Sequence, residues 1–156
     1  MSAPTAIAEP GWEPVQPFPS PEGAFLAEND HVRLAYFRKP GQPTLYAKAW
    51  FGAKTTGPPG HVHGGAIAAA LDEAMGAAAW MNEHRSVAAT ITISFLEMLP
   101  IESETTIDAS IERIEGRKIY LQANLKSPSG QLVATGTGLF VVLRDDRLQT
   151  RVNASL

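Results

Sequence analysis

The first residues that could do chemistry are the glycine pair Gly64-Gly65, where an alanine-rich helix is predicted to begin. Glycine lets a ligand approach the backbone closely, and the first-turn N–H groups of a helix have no partner within it. Together with the helix dipole they favour negative charge, including the oxyanion that develops when a carbonyl is attacked. The pair therefore indicates a site for an anion or a reacting carbonyl oxygen.

A second candidate is the acidic pair Asp72-Glu73, which interrupts the same apolar segment. Adjacent helical positions point about 100° apart, so at most one of the two faces a given cleft. Asp72 shares a helix face with Ala68, Ala69 and Met75 and is expected to point inward, whereas Glu73 is expected to reach solvent. Because a buried carboxylate must be paired, hydrated or functional, Asp72 is either catalytic or bonded to a backbone or hydroxyl group of a neighbouring chain.

The spacing of these two candidates bears on how they could work together. About eight residues at a rise of ~1.5 Å place Asp72 about 12 Å along the helix axis from Gly64. One helix therefore cannot present both groups to one carbonyl. The spacing predicts a site that combines Gly64 of one chain with Asp72 of another in a symmetric dimer.

Two histidines, His61 and His63, flank Val62 just before the helix. Alternate histidines resemble half of a metal site, but no further His or Cys stands at a ligand-like spacing and the HExxH motif is absent. We therefore predict no metal and no cofactor. A histidine at this place is expected to position the loop by hydrogen bonds or to orient a substrate group.

Composition excludes several other classes of protein. The chain has 156 residues and a net charge of −3, which fits one domain and gives no electrostatic footprint for nucleic acid. It contains no cysteine, which excludes disulfide scaffolds, thiolate metal sites and cysteine nucleophiles. No apolar stretch reaches the ~20 residues of a membrane span, and no signal-peptide pattern opens the sequence. We expect a cytoplasmic protein with neither a nucleic-acid nor a membrane partner.

The elements that must position these residues follow from periodicity. One helix is expected over Ala66–Met81, with a stop at Asn82; alanine on nearly every side indicates that this helix is buried. Alternating or β-rich segments predict strands at 31–38, 44–51, 88–96, 105–114, 118–126 and 131–143. Each alternating strand is expected to bury one face. The fold class is therefore α+β, an antiparallel sheet wrapped around one long central helix.

Proline usage divides the chain into three parts. Six of the 12 prolines lie in the first 21 residues, so residues 1–30 are predicted to form an arm that is neither a helix nor a central strand. Trp12 and Phe18 could pin this arm to the surface. Residues 31–144 form the folded domain, and residues 145–156 form a polar C-terminal tail.

The stretch from Gly57 to Ile67 together with the helical run from Leu71 to Gly76 resembles the hotdog-fold acyl-CoA thioesterases. Within this family it is most similar to the PaaI-like branch, which includes the mammalian mitochondrial members. The resemblance covers roughly residues 44–143. It implies the hotdog fold, and it implies hydrolysis of an acyl-CoA thioester to the free acid and CoA.

The resemblance also implies roles for individual residues. Asp72 stands where the family has its catalytic acid, which is either a general base for water or a nucleophile. Gly64 stands where a backbone N–H polarises the thioester carbonyl, His63 where a histidine binds near the thioester or holds the loop, and Thr90 where a Ser/Thr helps to position water. In the family these groups meet at a homodimer interface, often within a dimer of dimers.

Further substrate contacts are assigned to His61, Gly65, Arg117 and Lys118, the last two as candidates for CoA phosphates, although exposed hairpin charges are commonly only solvated. Two departures from the family change local contacts. Gly57 replaces an Asn that some relatives carry, and residues 96–100 replace the usual Arg-Pro. Two other readings stay open at this point: a hydratase or dehydratase of acyl thioesters, and a non-catalytic acyl-CoA-binding protein.

Overall fold

The structure is a computed structural model that describes residues 4–19 and 31–144. Seven strands and one α-helix follow in chain order, with a short 3₁₀ turn at Ala53–Thr55. They are β1 (Glu13–Pro14), β2 (Val32–Arg38), β3 (Leu45–Phe51), α1 (Gly64–Met81), β4 (Ser86–Phe95), β5 (Ser103–Glu115), β6 (Lys118–Lys126) and β7 (Leu132–Val142). The predicted strands are confirmed to within a few residues. The whole predicted tail, residues 145–156, lies outside the described residues, as do residues 1–3 and 20–30 of the predicted arm.

All strands belong to one antiparallel sheet in the order β1-β2-β3-β5-β6-β7-β4. The inner face of this sheet holds α1, which contacts every strand from β3 to β7. The buried core is formed by Leu71, Ala74 and Met75 of the helix against Ile107 and Leu121 of the sheet, among others. The expected α+β architecture, a sheet wrapped around one buried helix, is confirmed.

The helix can lie close to β7 because two glycines face it. A Cβ atom on Gly136 would lie 3.4 Å from Cε of Met75, and one on Gly138 would lie 3.3 Å from Sδ of the same residue. Even one added methyl group would therefore press on the helix, since packed interiors have little spare volume. The alternation of small and large residues along β7 thus fixes how near α1 sits to the sheet.

The helix begins two residues earlier than the alanine-rich run indicates, at Gly64 instead of Ala66. His63 is the N-cap, and its Nδ1 accepts a hydrogen bond from the backbone N–H of Gly65. A side-chain acceptor at the N-cap satisfies one of the unpaired first-turn amides, so it can extend a helix into a glycine pair. The predicted stop is confirmed, with Asn82 as the C-cap.

The expectation that β4 buries one face is wrong for the single chain. Nearly all of its residues are exposed; Ile91 is 37% exposed and Phe95 53% exposed, although both side chains are on the helix-facing side of the sheet. The reason is topological, because β4 is the last strand of the sheet and no element of the described chain covers its outer edge. The side chains of β4 do alternate between the two faces of the sheet, but neither face is buried in the single chain.

The proline-rich arm is attached at the opposite edge of the sheet, where β1 pairs with β2. Trp12 stacks on Tyr46 with ring centroids 4.9 Å apart. Phe18 makes edge-to-face contacts with Tyr36 at 6.1 Å and with Trp80 of the helix at 5.8 Å. The predicted anchoring by Trp12 and Phe18 is confirmed for the described part of the arm.

Candidate active site

The loop before the helix is fixed by hydrogen bonds to its surroundings. The N–H of His63 donates to the carbonyl of Thr55 at 2.7 Å, and the N–H of Val62 donates to the carbonyl of Leu99 at 2.8 Å. A Cβ atom on Gly57 would lie only 2.8 Å from Cα of His63. The asparagine that some relatives carry at this place cannot fit this loop conformation, so the loop depends on glycine here.

The first turn of α1 leaves one backbone amide unused. Gly65 donates its N–H to Nδ1 of His63 at 2.8 Å, and Ala66 donates its N–H to the His63 carbonyl at 3.0 Å. Within the described part of the chain, the N–H of Gly64 donates to no other group. This amide lies at the positive end of the helix dipole, where an anionic oxygen is favoured.

The capping hydrogen bond also determines the tautomer of neutral His63, that is, which ring nitrogen carries the proton. Because its Nδ1 accepts a hydrogen bond from a backbone N–H, the neutral ring carries its proton on Nε2. The ring is exposed and lines a cleft with Gly65 and Ala69 on the β2 side of the helix. Of the two roles that the resemblance implied for His63, holding the loop is the one this geometry displays in a single chain.

Asp72 does not point into the core as expected: it is only half-buried, and this partial burial raises the pKa of its carboxyl group above the usual value. At 3.6 residues per turn, Asp72 lies about 80° around the axis from Gly64 and ~12 Å along it. A single chain therefore does not bring the carboxylate and the free amide to one point. Any site that uses both needs a second copy.

Glu73 differs from the expectation that it reaches freely into solvent. It is half-buried on the other side of the helix, near Tyr36 of β2. Burial and the neighbouring charge of Asp72 both raise the pKa of Glu73. Burial and then the charge of Glu73 raise the pKa of Tyr36 far above its usual value. Sequence reasoning missed this contact because it depends on β2 lying beside the helix.

Thr90 lies on the outer face of the sheet, away from the helix. It pairs with Leu139 in the register of β4 and β7, whereas the next pairs on the helix side involve Ala88 and Ile91. An irregularity between Ala88 and Thr90 interrupts the ladder at this place. Within one chain, Thr90 therefore does not lie with Gly64 or Asp72.

The remaining predicted contact residues occupy both ends of the helix. His61 lies near its start, and its Nδ1 is 2.8 Å from the carbonyl oxygen of Pro59. Arg117 donates from Nε and Nη2 to the carbonyl of Val142 at 3.1 and 3.0 Å, so two of its N–H groups already bond to the backbone at the end of β7. Lys118 is exposed beside it.

The position of Arg117 and Lys118 follows from the strand register. Val142 pairs with Ser86, and the carbonyl of Ser86 accepts a hydrogen bond from the indole of Trp80 at 3.0 Å. Arg117 and Lys118 therefore lie at the end of the sheet that adjoins the C-terminal end of the helix, remote from Gly64 of the same chain. Only a second copy could bring these basic residues near a Gly64 amide.

Sequence reasoning also missed Phe95, whose ring lies directly beside Gly64. A Cβ atom on that glycine would be 3.3 Å from Cε1 and from Cζ of Phe95. The available signal is an aromatic residue at the end of a predicted strand, which alone does not indicate that it lies beside a helix start. Among the residues that the structure describes, no group of three or more His, Cys, Asp or Glu side chains could hold a metal ion. No described helix is both long and apolar enough to cross a membrane.

Comparison with known proteins agrees with this architecture. Residues 59–134 match the sequence model of the thioesterase superfamily. The chain is 34% identical over 88 residues to acyl-coenzyme A thioesterase THEM4 of Xenopus laevis, covering 56% of this chain and 40% of that protein. It is 31% identical over 118 residues to acyl-coenzyme A thioesterase THEM5 of Homo sapiens, covering 75% of this chain and 48% of that protein. The chain thus spans about half the length of the curated relatives it matches.

Solved structures show the same fold at lower sequence identity. The E. coli PaaI protein superposes with a TM-score of 0.65 and 16% identity, over 72% of this chain and 80% of that one. The smu.793 protein of Streptococcus mutans, solved with acetyl CoA bound, superposes with a TM-score of 0.66 and 16% identity, over 78% and 94% of the two chains. The sheet around one helix is therefore the hotdog fold, as expected. The expected resemblance to the thioesterase superfamily is confirmed by the sequence match over residues 59–134.

Proposed function

We propose that this protein is an acyl-CoA thioesterase that hydrolyses the thioester to a free acid and CoA. The observation that carries the proposal is the unused amide of Gly64 at the helix start, on the same helix as the half-buried carboxylate of Asp72. A thioester needs only a positioned water, a base and an oxyanion donor, so no metal or cofactor is required. The named relatives are acyl-coenzyme A thioesterases, which supports this substrate class.

In the proposed reaction, the Gly64 N–H donates to the thioester carbonyl oxygen and stabilises the charge that develops there. Asp72 accepts a proton from water as the water oxygen attacks the carbonyl carbon. The C–S bond then breaks, and the sulfur receives the proton that Asp72 took from water, so that CoA leaves as the thiol and Asp72 returns to its carboxylate form. Direct attack by the Asp72 carboxylate, followed by hydrolysis of the anhydride, gives the same products. Typical contributions are about 10²–10⁴ from the base and about 10²–10³ from one oxyanion donor.

The working unit that we propose is a homodimer, because Gly64 and Asp72 of one chain are too far apart. The outer edge of β4 supports this assembly: it is a strand of 10 residues, unpaired on one side in the described chain, with apolar Val87 and Ile91 exposed. Such an edge is a template for pairing with another strand. Antiparallel pairing of two β4 edges about a twofold axis would place two helices side by side with opposite directions. Further association into a dimer of dimers is part of the proposal.

In that dimer Gly64 of one helix would lie opposite Asp72 of its antiparallel neighbour, so the C-terminal end of the neighbouring helix would extend roughly 13 Å beyond the start of the first. This would bring Arg117 and Lys118 of the second copy toward the Gly64 end of the first, where CoA phosphates would need cations. His61 and Gly65 are retained as substrate contacts, whereas Thr90 faces the outer side of the sheet and is not retained in a site on the helix side. The cytoplasmic location remains a prediction from the sequence alone.

The deciding experiment measures thiol release from acyl-CoAs by wild type and by Asp72→Asn. We expect kcat to fall by at least about 100-fold with little change in KM, as for a group that acts in the transition state. Activity within threefold of wild type would remove Asp72 from the proposed role. Release of thiol from no acyl-CoA would refute the thioesterase proposal itself.

The dimer is tested separately by mixing inactive variants. A Gly64→Pro chain and an Asp72→Asn chain, unfolded together and refolded as a mixture, should regain activity because one of the two sites in each mixed dimer is intact. Light scattering reports the mass of the assembly. A monomeric protein with full activity, or no recovery in verified mixed dimers, would contradict the shared site.

A further inference from the structure

A small cleft of about 170 Å³ opens beside Gly64 on the β4 side of the helix. Three segments form it: the loop before the helix, the first helical turn and the segment that follows β4. The apolar side chains in its wall include Val62, Ile67, Phe95, Met98 and Leu99. The cleft therefore adjoins the free amide and offers a mostly apolar surface next to it.

The wall nearest to the amide is aromatic. The ring of Phe95 stands 3.3 Å from the place where a Cβ atom on Gly64 would be. A carbonyl group bound at the Gly64 N–H would therefore have the Phe95 ring beside it. The group attached to that carbonyl would extend along this wall.

The segment 96–99 is fastened at both ends. Leu96 donates its N–H to the carbonyl of Val133 at 2.8 Å, and the carbonyl of Leu99 accepts the N–H of Val62 at 2.8 Å. The side chain of Leu99 is only 1% exposed and anchors the segment in the core. Met98, between these anchors, is 59% exposed and lines the open side of the cleft. The cleft is therefore a built feature of the fold.

The volume limits what the cleft can hold. An apolar cavity of about 150 Å³ lined by Leu, Ile and Phe accommodates one benzene molecule. At about 170 Å³, the cleft beside Gly64 has room for about six carbon atoms. We propose that it receives the acyl group of the substrate and selects compact acyl groups, either a short chain of about six carbons or one aromatic ring. This rests on the proposed function, since the carbonyl at Gly64 sets the end at which the acyl group enters.

The test is a chain-length series of acetyl-, butyryl-, hexanoyl-, octanoyl-, dodecanoyl- and palmitoyl-CoA, with benzoyl-CoA added. We expect kcat/KM to peak between butyryl and octanoyl or at benzoyl, and to be at least about tenfold lower for palmitoyl, since each misfitting methylene matters in a small pocket. Met98→Ala, which removes the thioether end of a wall residue, should move the optimum to chains about two carbons longer.

Leu96→Ala is the matched control, because Leu96 is an apolar neighbour, 51% exposed, that does not line the cleft. Its chain-length profile should match that of wild type. A wild-type optimum at palmitoyl, or a Met98→Ala profile parallel to wild type, would overturn the proposal. Both substituted side chains are exposed, so thermal melting should show that each variant remains folded.

Binding of non-hydrolysable thioether analogues separates the two proposals. If no thiol is released from any substrate, the proposed activity fails, and the affinities alone then decide the acyl cleft. Binding of the hexanoyl thioether at least about tenfold tighter than the palmitoyl thioether, with the preference relaxed in Met98→Ala, supports the cleft. Equal or tighter binding of the palmitoyl analogue overturns it.

Discussion

Replacing Gly64 with proline should remove the free amide N–H while keeping the helix. Gly64 is the first helical residue, a position where proline is favoured because its missing N–H would be unpaired in any case. Proline also restricts the residue before it to an extended conformation, and His63 already has φ −63° and ψ 136°. The substitution therefore removes the Gly64 N–H donor and requires little change in the backbone conformation of His63 or of the helix start.

Gly64→Ala is the matched control because it adds the same Cβ atom but retains the N–H. That Cβ atom would lie 3.3 Å from the Phe95 ring in both variants. The ring is 53% exposed and can move by the few tenths of an ångström that this contact requires. The alanine variant thus accounts for the added Cβ atom, and the remaining difference reports the replacement of the N–H by the proline ring carbon Cδ.

Loss of one oxyanion donor typically lowers kcat by about 10²–10³, or roughly 2.7–4 kcal/mol in the barrier. We therefore expect Gly64→Pro to be at least about 100-fold slower than Gly64→Ala, with similar KM values, in a steady-state thiol-release assay. Far-UV circular dichroism and thermal melting should show the same fold in both. If the proline variant retains activity within threefold of the alanine variant, the Gly64 amide is not the oxyanion donor.

Three further predictions concern stability. His63→Ala should lower the free energy of unfolding by about 1 kcal/mol in urea titrations, and His63→Asn should recover most of the loss, because asparagine is a good N-cap; equal losses would refute the capping role. Burial raises the pKa of Asp72, so the folded state holds its proton more tightly than the unfolded state, and this stabilisation is lost as pH rises through the folded-state pKa. Asp72→Asn should therefore melt above wild type at pH 7, with the difference vanishing below about pH 4, whereas a lower melting temperature at pH 7 would indicate a structural bond. Trp12→Ala should cost about 1–2 kcal/mol of stability with kcat unchanged, and unchanged stability would show that the stacked arm contributes nothing.

Much of the fold could be predicted because its strands follow a simple period. Alternation in β5 and β6 places Ile107, Ala109, Leu121 and Ala123 on the buried face, as expected. The helix was clear from its alanine content, and only its start was placed too late. The capping bond of His63 decides that start, and a histidine is not among the usual N-cap residues.

The position of β4 could not be predicted from alternation. Period two shows that side chains alternate between two faces, but it does not show whether another element covers either face. The edge position follows from the order of all seven strands, which joins β4 to β7 across the intervening chain. The face that Thr90 occupies likewise depends on the irregularity between Ala88 and Thr90, which no local sequence pattern marks.

The two carboxylates of α1 lie on different sides of the helix, and the topology of the sheet gives each of them different neighbours. Glu73 lies about 180° from Gly64 around the axis and faces Tyr36, so β2 covers its side of the helix. Asp72 lies about 80° from Gly64 and about 100° from Glu73, between the side where Phe95 adjoins the helix start and the side that β2 covers. It is half-exposed because the sheet of one chain leaves this face of the helix partly uncovered. In the proposed dimer a second copy covers this face, so a change in the β4 edge should alter both assembly and catalysis.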